Sequence, residues 1–393
     1  MKKNDYVRFL AQTGPSPMGI EVSRAEGSYI YDKQGKAYLD MVAGVSALPL
    51  GHRHPAVEAA VKKQLERYTH VMVYGEFFQD ATLDLAKEMA SVLPPPLSVT
   101  YPVNSGTEAT EAALKLAKKY TGRMKIIAAR KAYHGNTQGA MSVMGYEPRK
   151  FPFMPLIPGI EFIRFNNEDD LQKIDDSVAG VILETIQGGA GFIEPENDYL
   201  KKVKQRCEQN GALLILDEIQ TGFGRTGKMF GFENYGVIPD ILITGKALGG
   251  GFPIGAVSAS YEIMKTFSQP PLSHITTFGG HPVINAAAAR TLRIIQKEKL
   301  PEQALEKEKY LRSKLRHRLI REIRGKGLML AMIMPDKQTA DRLILKALEQ
   351  GLILFWLLYE PRAVRITPPL NISYRDLDKA VDIILNILDN PDK

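Results

Sequence analysis

The chain has 393 residues and a formal net charge of +7, with 44% hydrophobic and 24% charged residues. This composition provides ample apolar material for a core, which excludes disorder as the main state. A surplus of seven positive charges over this length is too small to indicate nucleic-acid binding. The single cysteine, Cys207, excludes an intramolecular disulfide and predicts a reducing, cytoplasmic setting.

The sequence also predicts no association with a membrane. The longest uninterrupted apolar run near the C-terminus extends from Leu352 to Leu358. A helix that spans a bilayer needs roughly 20 apolar residues, far more than this run provides. Asp5 and Arg8 interrupt any apolar stretch at the N-terminus. We therefore expect no signal peptide.

The first predicted elements are a pair of strands and a helix. Residues 28–32 and 37–41 are rich in strand-forming residues and flank a Lys-Gln-Gly-Lys turn, which predicts two neighbouring strands. An amphipathic helix is predicted to begin at Pro55, because Val57, Val61 and Leu65 recur on one face.

From about residue 104 to 260, short apolar runs alternate with helical stretches. Runs this apolar are typical of strands buried on both faces, as in a mostly parallel sheet flanked by helices. The sequence therefore predicts an α/β fold. The predicted strands are 125–129, 179–184, 212–217, 241–244 and 255–259.

Residues 284–326 are predicted to be helical and to end in an amphipathic helix with a basic face. Basic residues from Arg312 to Lys326 interleave there with Leu315, Leu319 and Ile323. We interpret the basic face as solvated, with nucleic-acid binding as the alternative. The remaining residues, 327–393, alternate between strand-like and helix-like pieces, which is enough for a smaller α+β domain.

A turn before a predicted helix is the first candidate for chemistry. Ser105, Gly106 and Thr107 precede this helix, and Ser105 has capping-box spacing with Glu108. A helix N-terminus with a glycine and two hydroxyls favours phosphate binding. A plain helix cap is the alternative interpretation.

Two charged side chains follow buried strands, at the edge of the sheet where ligands bind in open α/β folds. Asp217 ends one predicted strand, and Lys246 directly follows another. Burial would lower the pKa of the lysine and leave more neutral amine for Schiff-base chemistry, whereas a snorkelling structural lysine is the alternative. With the phosphate site, and with Tyr133 to cover a ring, these residues are the parts that a pyridoxal-phosphate site needs.

Two other kinds of site are not supported by the sequence. Gly222–Lys228 matches the first seven positions of a nucleotide-binding P-loop, but Met229 stands where a hydroxyl must bind Mg²⁺. The histidines include only one close pair, His52 and His54, and Cys207 is remote from it. We therefore predict no metal site.

In combination, these motifs resemble the class-III, fold-type-I pyridoxal-phosphate aminotransferases over essentially the whole chain, and most resemble the acetylornithine/ornithine branch. The resemblance implies a large cofactor-binding domain, 46–285, with a mostly parallel sheet of the seven-stranded type flanked by helices. It also implies a smaller α+β domain formed from both chain ends, 1–45 and 286–393. The matching stretches include Leu50–Pro55, Asn104–Ala109, Tyr133–Gly135, Leu216–Gly227, Gly245–Gly255, Thr277–Gly280 and Arg365–Leu370.

The resemblance also implies roles for individual residues. Lys246 would bond covalently to pyridoxal 5′-phosphate and move a proton between the substrate Cα and the cofactor. Asp217 would keep the pyridine nitrogen protonated, and Arg365 would bind a substrate carboxylate. The other cofactor-binding residues that the resemblance implies are Ser105, Gly106, Thr107, Tyr133, His134, Glu184 and Gln220, with Thr277 reaching in from the partner subunit of a homodimer.

Two positions depart from the family pattern. Gly189 replaces the second glutamate of the family's Glu-Pro-Ile-Gln-Gly-Glu motif. In ornithine- and aminobutyrate-type relatives that glutamate pairs with the carboxylate-binding arginine during one half-reaction, so Arg365 lacks this partner here. Asn136 stands where the acetylornithine branch usually carries arginine.

The activity that the resemblance implies is transamination, in which an ω-amino donor of the acetylornithine or ornithine type passes its amino group to 2-oxoglutarate. The mechanism would be ping-pong, through pyridoxamine phosphate. An aminotransferase for 4-aminobutyrate, β-alanine or another ω-amino acid or amine is the alternative. A racemase, mutase or decarboxylase on the same fold would share the cofactor apparatus, so reaction products would have to distinguish it.

Overall fold

A computed structural model describes residues 3–14 and 17–390. Its strands form three sheets, and helices cover them. The strands in chain order are β1 Val22–Glu26, β2 Tyr29–Asp32, β3 Ala37–Asp40, β4 Val99–Val103, β5 Lys125–Ala129, β6 Ile160–Ile163, β7 Val178–Glu184, β8 Leu213–Asp217, β9 Ile241–Gly245, β10 Gly255–Ala259, β11 Glu322–Lys326, β12 Met329–Ile333, β13 Leu352–Ile353, β14 Phe355–Trp356 and β15 Ala363–Ile366.

Helices connect these strands and flank the sheets. Most begin either with a proline in the first turn or after a residue whose side chain caps the helix. Ser105, Asp336 and Ser373 are such caps, because a side-chain oxygen of each accepts a backbone N–H of the first turn. The α-helices are Lys3–Phe9, Pro55–Leu65, Asp80–Val92, Gly106–Thr121, Gln138–Ser142, Glu147–Lys150, Tyr199–Asn210, Tyr261–Met264, Pro282–Lys297, Leu300–Lys314, Lys337–Glu349 and Tyr374–Asp389.

The central sheet has seven strands in the order β4-β10-β9-β8-β7-β5-β6. The five strands from β9 to β6 run parallel, and β10 is antiparallel to both of its neighbours. Every residue of β7, β8 and β9 is buried, which explains why these strands are continuous apolar runs in the sequence. The predicted, mostly parallel α/β sheet is confirmed.

The two smaller sheets bring distant parts of the chain together. One has the order β1-β2-β3-β13, and the parallel pairing of β3 with β13 places Leu39 opposite Leu352. The other has the order β11-β12-β15-β14. Within residues 3–14 and 17–390, no helix combines the length and the apolar character that crossing a bilayer requires.

The prediction of a basic amphipathic helix extending to residue 326 is wrong. The helix ends at Lys314, and β11 pairs antiparallel with β12. Gly325 and Gly327 have φ angles of +91° and +61°. This left-handed backbone suits glycine and cannot continue a right-handed helix. The two glycines shape the turn between β11 and β12, and the apolar residue Ile323 lies on a strand that pairs with β12. The spacing of apolar residues alone did not distinguish this strand from a continued helix.

Candidate active site

A cavity of about 460 Å³ lies at the carboxyl ends of β7, β8 and β9. Glu184 ends β7, Asp217 ends β8, and Lys246 directly follows β9. These strands are parallel and in register, with Glu184 opposite Asp217, so the three side chains meet at one edge of the sheet. The residues that line the cavity are Val45, Gly106, Thr107, Tyr133, His134, Gly135, Asn136, Glu184, Ile186, Gly189, Asp217, Ile219, Gln220, Thr221, Lys246, Phe355, Trp356, Leu358 and Arg365.

The Asp217 carboxylate is held in one orientation by two hydrogen bonds. Its Oδ2 lies 2.7 Å from Nδ1 of His134, and its Oδ1 accepts the backbone N–H of Ile219 at 2.9 Å. An ionised carboxylate only accepts hydrogen bonds, so His134 donates through Nδ1. The other ring nitrogen of His134, Nε2, is buried without a partner among the described residues. Among the described residues, the imidazole of His134 is therefore hydrogen-bonded to Asp217 alone.

Lys246 combines an uncommon backbone conformation with a buried amine. Its φ of +39° lies in the left-handed region that residues other than glycine seldom adopt. The residue is half-buried and lines the cavity, and burial lowers the pKa of its amine. The positive charge of Arg365 lowers that pKa further, while Asp217 and Glu184 oppose the shift. More of the amine is therefore neutral and nucleophilic than in a surface lysine.

The helix Gly106–Thr121 begins at the cavity. Its first backbone N–H groups have no partner within the helix, which makes this end a site for an anion. The Oγ of Ser105 accepts the N–H of Glu108 at 3.3 Å and so caps the helix from behind the cavity. A Cβ on Gly106 would lie 2.7 Å from Cδ1 of Ile219, so a side chain there would have to displace the end of Ile219. Thr107 adds a hydroxyl, 2.8 Å from that of Thr137.

Glu184 fixes the backbone on both sides of the cavity. Its two carboxylate oxygens accept the N–H of Tyr133 at 3.0 Å and the N–H of Gly188 at 2.8 Å. Burial raises the pKa of Glu184 to about 7, and the neighbouring carboxylate of Asp217 adds to the shift. Gln220 is held separately, by a 3.2 Å hydrogen bond from its Nε2 to the Oγ of Ser46.

Arg365 is a buried cation without a carboxylate partner. It lies on β15, is 5% exposed, and has Nε and Nη1 atoms that bond to none of the described residues. Its guanidinium carbon lies 5.8 Å from the centre of the Phe192 ring. Burial lowers the pKa of Arg365 to about 10, so the group is still charged at neutral pH. A buried guanidinium with free N–H groups is suited to bind a carboxylate through two hydrogen bonds.

The structure brings together all but two of the side chains that the sequence singled out. Ser105 caps the helix behind the cavity, and Thr277 is exposed at the surface of the single chain. The predicted place of Thr277 in the site of a partner subunit stays a prediction. Asn136, one of the two departures from the family pattern, also lines the cavity.

Sequence reasoning missed the apolar wall of the cavity. Phe355, Trp356 and Leu358 belong to the apolar run near the C-terminus, and the Nε1 of Trp356 is anchored to Asp341 by a 2.7 Å hydrogen bond. The length of that run was the available signal. Val45 lies in the left-handed turn 43–46, for which the sequence gives no comparable signal.

This arrangement has the chemistry to accept a phosphate-bearing aromatic cofactor that reacts with an amine: the helix N-terminus could bind a phosphate, Asp217 a protonated ring nitrogen, and Lys246 a carbonyl. Residues 10–388 match the family model for class-III aminotransferases, and the chain belongs to that family. It is a pyridoxal-5′-phosphate-dependent aminotransferase of fold type I.

Similar proteins span nearly the whole chain. An acetylornithine aminotransferase from Caldanaerobacter subterraneus subsp. tengcongensis is 40% identical over 381 residues, 94% of each chain. A [LysW]-aminoadipate semialdehyde/glutamate semialdehyde transaminase from Sulfolobus acidocaldarius is 38% identical over 372 residues, 93% of this chain and 94% of that protein. The crystal structure of ornithine aminotransferase from Toxoplasma gondii ME49 superposes with a TM-score of 0.91 at 31% identity, and covers 98% of this chain and 95% of that one.

Proposed function

We propose that this enzyme transfers the amino group of an ω-amino donor, of the acetylornithine or ornithine type, to 2-oxoglutarate in two half-reactions of a ping-pong mechanism. The observation that carries the proposal is the convergence of Lys246, Asp217 and Arg365 on one cavity. Two of these residues serve the cofactor, and the third is a free cation for a substrate carboxylate. The similarity to acetylornithine and [LysW]-aminoadipate semialdehyde transaminases supports the choice of donor class.

In this proposal Gly106 and Thr107, at the helix N-terminus, would bind the phosphate of the cofactor, and Tyr133 would cover the face of its ring. Asp217, oriented by His134, keeps a proton on the ring nitrogen. Gln220 approaches the ring hydroxyl. When bound, the cofactor supplies the electron sink for the carbanion that forms at the substrate carbon.

Lys246 then moves the proton in each half-reaction. Its amine is neutral more often than that of a surface lysine, because burial and Arg365 lower its pKa. A neutral amine can take the proton from the substrate carbon and return it to another position. The carboxylate of the substrate binds Arg365, whose free Nε and Nη1 groups face no protein acceptor among the described residues.

A second candidate function is an aminotransferase for 4-aminobutyrate, β-alanine or another ω-amino acid or amine. The observation that favours it is the neutral wall formed by Phe355, Trp356 and Leu358, together with the uncharged Asn136. A racemase, mutase or decarboxylase on the same cofactor is separated from both candidates by its products, since it forms no glutamate from 2-oxoglutarate.

We also infer that the enzyme is a cytoplasmic homodimer that serves amino-acid metabolism. Thr277 is exposed on the single chain, as a residue that completes the site of a partner subunit would be. Cys207 is reduced and buried, which fits a reducing compartment.

The deciding experiment is a half-reaction screen with the holoenzyme. Each donor of a panel (N-acetylornithine, ornithine, 4-aminobutyrate, β-alanine, glutamate and simple amines) is added alone, and the absorbance spectrum of the cofactor is followed. The proposal expects fast conversion with an ω-amino donor, reversal with 2-oxoglutarate, and formation of glutamate. A holoenzyme that passes no amino group from any of these donors to 2-oxoglutarate would refute the proposal.

A further inference from the structure

Phe355 and Trp356 form an aromatic corner in the wall of the cavity. Their ring centroids lie 5.3 Å apart and their planes are inclined by 73°, which is the edge-to-face arrangement that aromatic pairs favour. Among the described residues, neither ring packs against a further aromatic side chain. Phe355 is 38% exposed, Trp356 is half-buried, and both line the cavity. The corner therefore has apolar surface that the single chain leaves uncovered.

The aromatic corner lies beside Arg365. Phe355 and Trp356 constitute β14, the edge strand of its sheet, which pairs antiparallel with β15. In that register Phe355 is directly opposite Arg365, and Trp356 is opposite Val364. Directly opposite residues are neighbours on a sheet, and Phe355 and Arg365 both line the cavity. A carboxylate held by Arg365 would therefore bring the atoms next to it against the aromatic corner.

The indole of Trp356 is fixed by residues that do not line the cavity. Its Nε1 donates to Oδ1 of Asp341 at 2.7 Å, and the other carboxylate oxygen of Asp341 pairs with Lys337. Asp341 and Lys337 both belong to the helix Lys337–Glu349. A hydrogen bond to an ionised carboxylate is stronger than one between neutral groups. Because Nε1 is the only polar atom of the indole, the ring offers the cavity apolar surface alone.

We propose that Trp356, held in place by Asp341, is a specificity-determining residue that selects amino donors with an aromatic ring or a similarly broad apolar group next to the carboxylate. The inference rests on the proposed function and narrows its donor class. Arg365 binds the carboxylate, and the ring of the donor packs into the aromatic corner. A flexible chain of the same length binds less well, because it covers less of the two rings and loses more conformational freedom.

The kinetic test compares 4-(aminomethyl)benzoate with 6-aminohexanoate, two donors of similar span, in the half-reaction of the holoenzyme. The two amines differ in intrinsic reactivity, so the deciding quantity is the change in the ratio of their kcat/KM values. Trp356→Leu keeps an apolar side chain without the ring and should lower this ratio at least about threefold, the effect of one aromatic contact. Trp356→Phe keeps a ring and should retain most of the preference. An unchanged ratio in a Trp356→Leu protein that retains its cofactor would overturn the proposal.

The fluorescence of Trp356 tests the positioning role of Asp341. Trp356 is the only tryptophan in the chain, so its emission reports on this ring alone. Asp341→Leu should make the emission easier to quench with acrylamide and should lower the donor ratio at least about threefold, because a charge-assisted hydrogen bond is lost. Asp341→Asn retains an acceptor for Nε1, and Lys337→Gln removes only the ion pair, so both should behave like the native chain. If Asp341→Leu changes neither quenching nor the donor ratio, the positioning role is wrong.

A binding measurement without turnover keeps this inference separate from the proposed function. The carboxylates 4-methylbenzoate and hexanoate have neither an amino nor an oxo group, so they bind without reacting. Calorimetric titration of the native holoenzyme should give a Kd at least about threefold lower for 4-methylbenzoate, and Trp356→Leu should bring the two Kd values within about twofold of each other. Equal Kd values in the native chain, or no binding of either carboxylate, would refute the role of Trp356 even if transamination is observed. A native enzyme that shows the binding preference but transfers no amino group would instead refute the proposed function.

Discussion

Lys246 has a backbone and a side chain that are both held in unfavourable states. Its positive φ costs on the order of 1–3 kcal/mol in residues other than glycine, and its amine is buried. The amine lines the cavity at the edge of the sheet, together with Asp217 and Arg365. Local strain and a shifted pKa at one residue are characteristic of a group that takes part in chemistry.

Replacement of Lys246 by alanine should lower turnover at least about a hundredfold, because general acid–base catalysis alone contributes roughly 10²–10⁴. The variant is expected to bind the cofactor without a covalent bond. Turnover is measured under saturating donor, oxo acid and cofactor. Lys201→Ala, at an exposed helical lysine, is the matched control and should be unaffected. Normal turnover in Lys246→Ala would remove this residue from the mechanism.

Glu184 should make the stability of the apo protein depend on pH between about 4.5 and 7. Its folded-state pKa of about 7 lies above the ordinary value of 4.5, so the folded protein binds the proton more tightly than the unfolded chain. The stabilisation from protonated Glu184 is complete below pH 4.5 and is lost as the pH rises through 7. Thermal midpoints measured from pH 4.5 to 8 should therefore fall more steeply in the native chain than in Glu184→Gln. Parallel curves for the two proteins would contradict the raised pKa.

At the scale of elements, the loop after β8 is held by one buried carboxylate. Glu218 accepts the hydroxyl of Thr185 at 2.5 Å and that of Thr221 at 2.8 Å. It also accepts the N–H groups of Gly231 and Phe232, each at 2.7 Å. The loop between these residues carries Gln220 to the cavity, so Glu218 positions part of the site without touching it.

Glu218→Gln should lower the thermal midpoint by at least about 2 °C, since its amide nitrogen would face two buried donors. Each unsatisfied donor costs about 1–3 kcal/mol, and each kcal/mol shifts the midpoint of a chain this long by about 1 °C. The variant should also release cofactor more readily, which dialysis followed by absorbance measurement would detect. Glu208→Gln, at an exposed helical position, serves as the control. If both variants melt with the native protein, the loop is held by other contacts.

The central strands and their polar ends could be predicted from sequence because both signals are local. Strands buried on both faces are apolar, and this signal predicted both ends of β5 and β10 correctly. A charged residue at the end of such a strand, or directly after it, identified Asp217 and Lys246. The wall of the cavity could not be predicted. Val45 and Trp356 line the same cavity only through tertiary packing of segments far apart in the chain, and no local pattern encodes that packing.

At the scale of the whole molecule, the composite site that we propose can be tested by complementation. Lys246→Ala inactivates a site directly, and Thr277→Asp should inactivate the site of its partner by placing a carboxylate beside the phosphate. In a mixed dimer, one site carries both changes and the other carries neither. Co-refolding two inactive variants should therefore restore activity, up to about half of the native value per mixed dimer. Activity that never exceeds that of the separate variants would show that Thr277 does not act across subunits.

The pairing of β3 with β13 also determines the stage of translation at which the fold of the enzyme can be completed. Leu39 and its partner Leu352 are separated by about 310 residues. At 5–20 residues per second, this part of the chain takes about 15–60 s to synthesise. During that interval β3 lacks its parallel neighbour, and the apolar wall that includes Trp356 does not yet exist. The substrate side of the cavity, with Trp356 and Arg365, can therefore form only after residue 352 has been synthesised. A ribosome stalled before that residue would carry a large core that has no finished active site.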